Sequence, residues 1–374
     1  MNGNRLKRAR EIKGLTQAEI ADAVGVTQAA IARIEQNLLE PSEQTVQQIA
    51  LRTGFPVSFF YQESKVDFPL GSLLFRKHSA LKSKDRAQII QTAWAAYLIF
   101  DFMAEKLRMM PVRLPRVEKE EPIIAAQLTR NALGVESDTP IKNLINKLEK
   151  CGVVVINLKL EVNEHDAFSL WVDNKRPVIV FTNGKSGDRL RRNGAHETGH
   201  LVCHSAMSGS RDDVEKEADK FANELLLPEE AMRHELTAPV TLSSIAELKA
   251  RWGVSMQSIV ERAFELEIIS ANQRKYLWQQ ISRQNWRKKE PVDIGVENPR
   301  ALQKMAELLY ADKSGKVNYT KLAKDISLPI SLVLDTFSGY VGNTIDMGNQ
   351  SNVIQMFPPQ TTEDKDNSSL KKTS

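Results

Sequence analysis

The stretch Asn193-Gly194-Ala195-His196-Glu197-Thr198-Gly199-His200-Leu201-Val202-Cys203-His204 sets two histidines four residues apart, with a glutamate directly after the first. On a helix, residues i and i+4 share a face, so the imidazoles of His196 and His200 can aim at one cation. Glu197 is turned by about 100° from His196, which puts its carboxylate beside such a cation rather than on it. Two neutral nitrogen ligands and a base next to a bound water are what a zinc hydrolase needs, so Zn²⁺ is the expected cofactor.

A tetrahedral catalytic zinc takes a third protein ligand and keeps one position open. The segment from Asp213 to Ala222 reads as a helix whose buried side is marked by Ala218, Phe221, Ala222 and, further on, Leu225. Glu215 and Asp219 are four apart and face the same way, on or beside that buried side. A buried carboxylate needs a partner. Glu215 is therefore the expected third ligand. Asp219 is the expected acceptor for an imidazole N–H, that of His196 or His200, fixing its tautomer. Glu217 should point elsewhere, into solvent. His204 extends the row, but it lies about 12 Å along the axis from His196, too far for both to hold one zinc on a straight helix. It reads as a core or pocket-rim histidine, and Cys203 as a buried apolar thiol. His234 and the pair Arg191-Arg192 are the candidates for stabilising an oxyanion, though each also has a plain surface reading.

Upstream of this motif, helices are expected at Ile123–Leu133 and Ile141–Glu149. Three strands should follow: Gly152–Leu158, Asp166–Val172 and Pro177–Phe181. Asn183-Gly184 breaks the sheet, and Asp188 is placed to cap the helix that carries the two histidines. Downstream, helices are expected at Leu242–Ala250, Ser255–Leu266, Asn272–Trp286, Pro299–Tyr310 and Tyr319–Tyr340. The pair around Trp252-Gly253-Val254 reads as packing for this domain rather than as a DNA-reading motif. The polar C-terminal end, 346–374, has the composition of a disordered tail.

The first 66 residues read as five short helices. Thr16-Gln17-Ala18-Glu19 is a capping box, Gly25-Val26 makes a turn, and Thr27 caps the next helix. Two helices joined by a short glycine turn make a helix-turn-helix, whose second helix enters the major groove. Its exposed N-terminal end carries Thr27, Gln28, Ala29 and Ala30, with Arg33 one turn later. Glutamine can bond adenine, alanine can touch a thymine methyl, and arginine can reach guanine or phosphate. Gln17 is placed for a phosphate. The expected partner is a double-stranded DNA operator. Residues 67–118 follow as a helical connector. It holds a basic segment, Leu73–His78 with Lys82–Arg86, and a long helix, Lys84–Met110, whose wide apolar stripe must be covered by the next domain or a second subunit. A homodimer on two half-sites is the corresponding expectation.

The whole chain is consistent with these parts. At 374 residues it is too long for one ordinary core. A hydrophobic share of 41% and a charged share of 26% are those of a globular protein, and no apolar run could span a membrane. Two cysteines make no disulfide framework, which suits the cytoplasm. A net charge of +4 permits nucleic-acid binding without arguing for it.

Two resemblances add to this reading. Leu15–Ala21, Gly25-Val26-Thr27 and Ile31–Glu35 look like the Xre, or lambda-repressor-like, DNA-binding family, with Asn37 where glycine is usual. His196–Leu201 with His204, then Glu215–Pro228, and on through Trp252–Ser255 and Arg262, resemble the ImmA/IrrE family of gluzincin-like metallopeptidases. Asp219 stands there where asparagine is commoner, and Leu227 where methionine is. The resemblance implies a zinc held by His196, His200 and Glu215, with Glu197 as catalytic base. It also implies a protein substrate such as a transcriptional repressor, in stress response, mobile-element control or toxin–antitoxin systems.

The expected architecture is α+β, mainly α. It comprises a five-helix DNA-binding domain (1–66), a connector (67–118), a metallopeptidase domain (119–290), a helical segment (291–345) and the tail. Two alternatives to an active peptidase stand beside it. One is a repressor whose metal-site domain senses or binds a partner without cleaving, and the other is an antitoxin that masks one.

Overall fold

The computed structural model describes residues 1–63, 68, 82–117, 120–158, 167–182, 186–204 and 211–339. The Leu73–His78 part of the expected basic segment, the Asn183-Gly184 break and the polar tail lie outside them, while Lys82–Arg86 opens the long helix of the connector. Sixteen α-helices and one three-stranded sheet occur among the described residues, an α+β architecture that is mainly α.

The N-terminal helices start where the sequence supplies caps. They are α1 (Gly3–Ile12), α2 (Gln17–Val24), α3 (Gln28–Glu35) and α4 (Glu43–Thr53). Thr16 and Glu19 form the capping box, Thr27 caps α3 and Ser42 caps α4. Gly25 takes the left-handed conformation (φ 70°), as the turn requires. The fifth expected helix is a 3₁₀ turn, Val57–Tyr61. Asn37 is left-handed too (φ 59°), and its Oδ1 accepts from the Gly3 amide at 2.7 Å, which accounts for an asparagine there.

Helix α5 (Ser83–Ala104) ends six residues before the expected Met110. Its last turn tightens, with Lys106 N–H bonding Met103 C=O and Leu107 N–H bonding Ala104 C=O, before Pro111. The helix is apolar nearly all round, and Ile89, Ala93, Trp94, Ala96 and Met103 are fully enclosed. The cover comes from the same chain: α1, the sheet, and two C-terminal helices. Arg8 lies 4.2 Å over the Trp94 ring and bonds Gln91, which joins α1 to α5.

The middle of the chain runs α6 (Pro122–Ala132), α7 (Leu144–Lys150), β1 (Val154–Leu158), β2 (Ala167–Val172), β3 (Arg176–Thr182), α8 (Gly187–Cys203) and α9 (Arg211–Leu226). The strand order is β1-β3-β2, with β1 parallel and β2 antiparallel to β3. Asp173 and Asn174, both at positive φ, make the tight β2–β3 turn. Strand period two divides the side chains between two cores. Val154, Ile156, Phe168, Leu170, Val178 and Val180 face the α5 side. Val155, Ala167, Ile179 and Phe181 face α8 and the helices beyond it.

Those helices are α10 (Glu229–Glu235), α11 (Leu242–Trp252), α12 (Met256–Glu265) and α13 (Ala271–Arg283), all packed on the α8 side. The α11–α12 pair is packing, as its sequence suggests: Ile245, Trp252, Met256 and Ile259 are enclosed there. Asp188 does not cap α8. Ser186 holds that position, and Asp188 sits in the first turn, where its Oδ2 meets Lys249 Nζ at 2.5 Å. A buried lysine takes the carboxylate that the cap would have used.

The chain then returns to the α5 side as α14 (Ala301–Tyr310), α15 (Tyr319–Ile326) and α16 (Ile330–Ser338). The single helix expected at Tyr319–Tyr340 is two. Ser327 turns left-handed (φ 57°), and Pro329 bars its neighbour from helical geometry. Residues 318–326 repeat, position by position, the exposure order of residues 16–24. The α15–α16 pair thus repeats the exposure pattern of α2 and its left-handed end, with Ser327 in the place of Gly25. Its outward residues on α16 are Ile330, Ser331, Leu334 and Asp335, with no cation among them.

Candidate metal centre

Helix α8 is enclosed along almost its whole length by the sheet, α6, α7 and α9. Two glycines permit this. A Cβ on Gly194 would stand 3.3 Å from the Phe181 ring, and one on Gly199 would stand 3.0 Å from Phe221 and 3.2 Å from the Ala218 backbone. Gly199→Ala is therefore expected to push α9 away and destabilise the chain by about 1–3 kcal/mol, measured by urea unfolding.

Helix geometry brings His196 and His200 onto one face, with their Nε2 atoms 3.0 Å apart. Helix α9 presents Glu215 to the same point: its carboxylate oxygens lie 3.4 Å from His196 Nε2 and 3.6 Å from His200 Nε2. The three residues each offer one ligand atom, all within 4.8 Å of one another. Burial raises the Glu215 carboxyl, but hydrogen bonds and charge from the two imidazoles outweigh it and hold the group well below the usual carboxylate range. Two nitrogens and one carboxylate are a donor set that suits zinc.

The open choice for Asp219 closes on His196, whose Nδ1 is 2.8 Å from Asp219 Oδ1. Arg192 Nη2 bonds the same oxygen at 3.1 Å. Glu217 departs from expectation. It is half exposed, yet its Oε2 lies 2.7 Å from His204 Nε2, because an imidazole at the end of α8 reaches across to α9. His204, expected in the core or at a pocket rim, has a nearly enclosed side chain, with its Nδ1 3.4 Å from His200 Nδ1. Cys203 is a buried free thiol, pushed up to about 12 by burial and then by the Glu217 charge.

Glu197 is buried at 3% exposure, and Ser169 Oγ of β2 donates to its Oε2 at 2.7 Å. Ser169 was not among the residues the sequence singled out. The signal was there: it is a polar side chain on the inward face of an otherwise apolar strand. Two residues on, Trp171 Nε1 bonds the Leu201 carbonyl at 2.9 Å, so the edge strand β2 is tied to α8 at both places. Of the oxyanion candidates, Arg191 is buried and occupied by Glu297 and the carbonyls of Ile141 and Trp252. Arg192 is bound to Asp219, and His234 is an exposed residue of α10.

In the N-terminal domain, Thr27, Gln28 and Ala29 are exposed at the start of α3 and Arg33 in its last turn, and Ala30 is half-buried. Gln17 is already engaged, its amide donating to Glu35 at 2.8 Å.

Two segments of the chain match known families. A helix-turn-helix family model matches residues 6–60. The model of the IrrE N-terminal-like domain, of the M78 peptidases, matches residues 148–264, which include both histidines, Glu197, Glu215 and Asp219. No curated protein matches the chain. No described helix is long and apolar enough to cross a membrane. The chain therefore carries, in this order, a segment that matches a helix-turn-helix family and a segment similar to the IrrE N-terminal-like domain of the M78 peptidases.

Proposed function

We propose that this protein is a DNA-binding regulator that acts through a zinc-dependent endopeptidase site, with a repressor or antitoxin-type protein as substrate. One observation carries the reading: His196, His200 and Glu215 converge on one point, with a buried glutamate next along the same helix. His196 Nε2, His200 Nε2 and a Glu215 oxygen would hold the ion. When bound, zinc supplies Lewis-acid polarisation of a peptide carbonyl and acidifies a water. Glu197 takes the proton of the attacking water on its carboxylate and returns it to the leaving amine. Ser169 holds one Glu197 oxygen and so orients the other. Asp219 accepts from His196 Nδ1–H, which leaves Nε2 with its lone pair.

At the other end, Thr27, Gln28, Ala29, Ala30 and Arg33 form the base-reading edge of α3, and Gln17 lies at the phosphate side of α2. The helix-turn-helix supports a role at an operator, and the peptidase-family domain behind it supports regulation by cleavage.

The test separates the two halves. The purified protein should hold about one zinc per chain by atomic emission. His196→Ala should lose that zinc, and unchanged metal content would show the ligands misassigned. Arg33→Ala should weaken operator binding by about 1–3 kcal/mol while leaving zinc content as it was. Equal DNA affinity in that variant would remove Arg33 from the reading edge.

A further inference from the structure

We propose that His204 and Glu217 form a positioning line for His200, equivalent to the one Asp219 provides for His196. The inference rests on the zinc reading of the His196–His200–Glu215 group. The atoms fix its direction. If His200 Nε2 carries the lone pair that faces the ion, its Nδ1 bears the proton. That proton has one partner within reach among the described residues, His204 Nδ1 at 3.4 Å. His204 must then accept at Nδ1 and carry its own proton on Nε2, which is 2.7 Å from Glu217 Oε2. Every donor in the line meets an acceptor, and the line ends on a carboxylate. The His204 side chain is 5% exposed while Glu217 is 49% exposed, so the line runs from the buried site to the surface of α9.

The sequence argument against His204 as a ligand holds, and the same spacing explains its role. One helical turn beyond His200, it cannot reach the ion but can reach the far nitrogen of the histidine that does. Helix α9 thus serves the site three times on alternate residues: Glu215 toward the ion, Glu217 through His204, and Asp219 through His196.

Zinc affinity of the full chain, measured by chelator competition, tests this. His204→Ala should weaken binding by about 10–100-fold, and Glu217→Ala by about 10-fold. The double variant should be no weaker than His204→Ala alone, because both residues act through one hydrogen-bonded line. His204→Gln should recover part of the loss, since its amide oxygen can accept from His200 Nδ1–H. Unfolding midpoints taken with chelator present should not follow these differences, as they would if the pair were only structural. In the wild type, ¹⁵N spectra should show His204 as the Nε2–H tautomer. Should His204→Ala fold poorly, the half-exposed Glu217→Ala carries the test alone. Wild-type affinity in Glu217→Ala, or losses that add independently in the double variant, would overturn the line. Wild-type protein that binds zinc no better than His196→Ala would sink the metal centre itself, a different result.

Discussion

Glu197→Gln is expected to keep its zinc and lose peptide hydrolysis by on the order of 10²–10⁴-fold. The substitution is close to isosteric, so Ser169 retains a partner at 2.7 Å and the enclosed α8 face need not rearrange. The ligand atoms on His196, His200 and Glu215 are untouched. What disappears is the ability to take a proton from water and give it to an amine, because a neutral amide does neither at ordinary pH. Hydrolysis of a fluorogenic peptide library, read beside metal content, separates this from ligand loss. A variant that cleaves at the wild-type rate would exclude Glu197 as the base. If regulation in cells is indifferent to the change, the peptidase reading gives way to a repressor that only senses or binds.

The second large effect concerns stability. Arg262 of α12 is fully enclosed and ion-paired with the equally buried Glu224 of α9, while its Nε bonds the Leu227 carbonyl at 3.0 Å. Glu224 also accepts from the Glu229 amide, which starts α10. Arg262→Ala leaves that carboxylate buried without its cation, a loss of about 3–5 kcal/mol in denaturant unfolding. Adding Glu224→Gln should return part of this, since the amide oxygen still serves Glu229 and no charge is stranded. A loss below about 1 kcal/mol for Arg262→Ala would mean that water reaches the pair.

The ligand helix was legible because its code is local. His196 and His200 share a face by spacing alone, and Glu215 and Asp219 do the same one helix later. Their convergence could be inferred because buried carboxylates need partners. What stayed hidden depended on contacts between elements. No periodicity says that Ser169 on a strand will meet Glu197, or that Glu217 will turn back to His204. The break at Ser327 is different: Pro329 marks it in the sequence, although Ser327-Leu328 offers no glycine and the apolar rhythm runs on across it. The cover over α5 was equally unreadable, since its nearest sources include helices some two hundred residues away.

That distance bears on how the chain assembles. Helix α5 and the β1 face of the sheet share one apolar cluster with α14, α15 and α16, so it spans Leu6 to Phe337. During synthesis, the DNA-binding end leaves the ribosome first, but the surface it packs on stays incomplete until the last helices emerge. Such long-range closure is slow and leaves apolar surface open to association in the meantime. A chain halted near residue 300 would present bare flanks of α5 and β1, the surfaces that α14 and α16 cover.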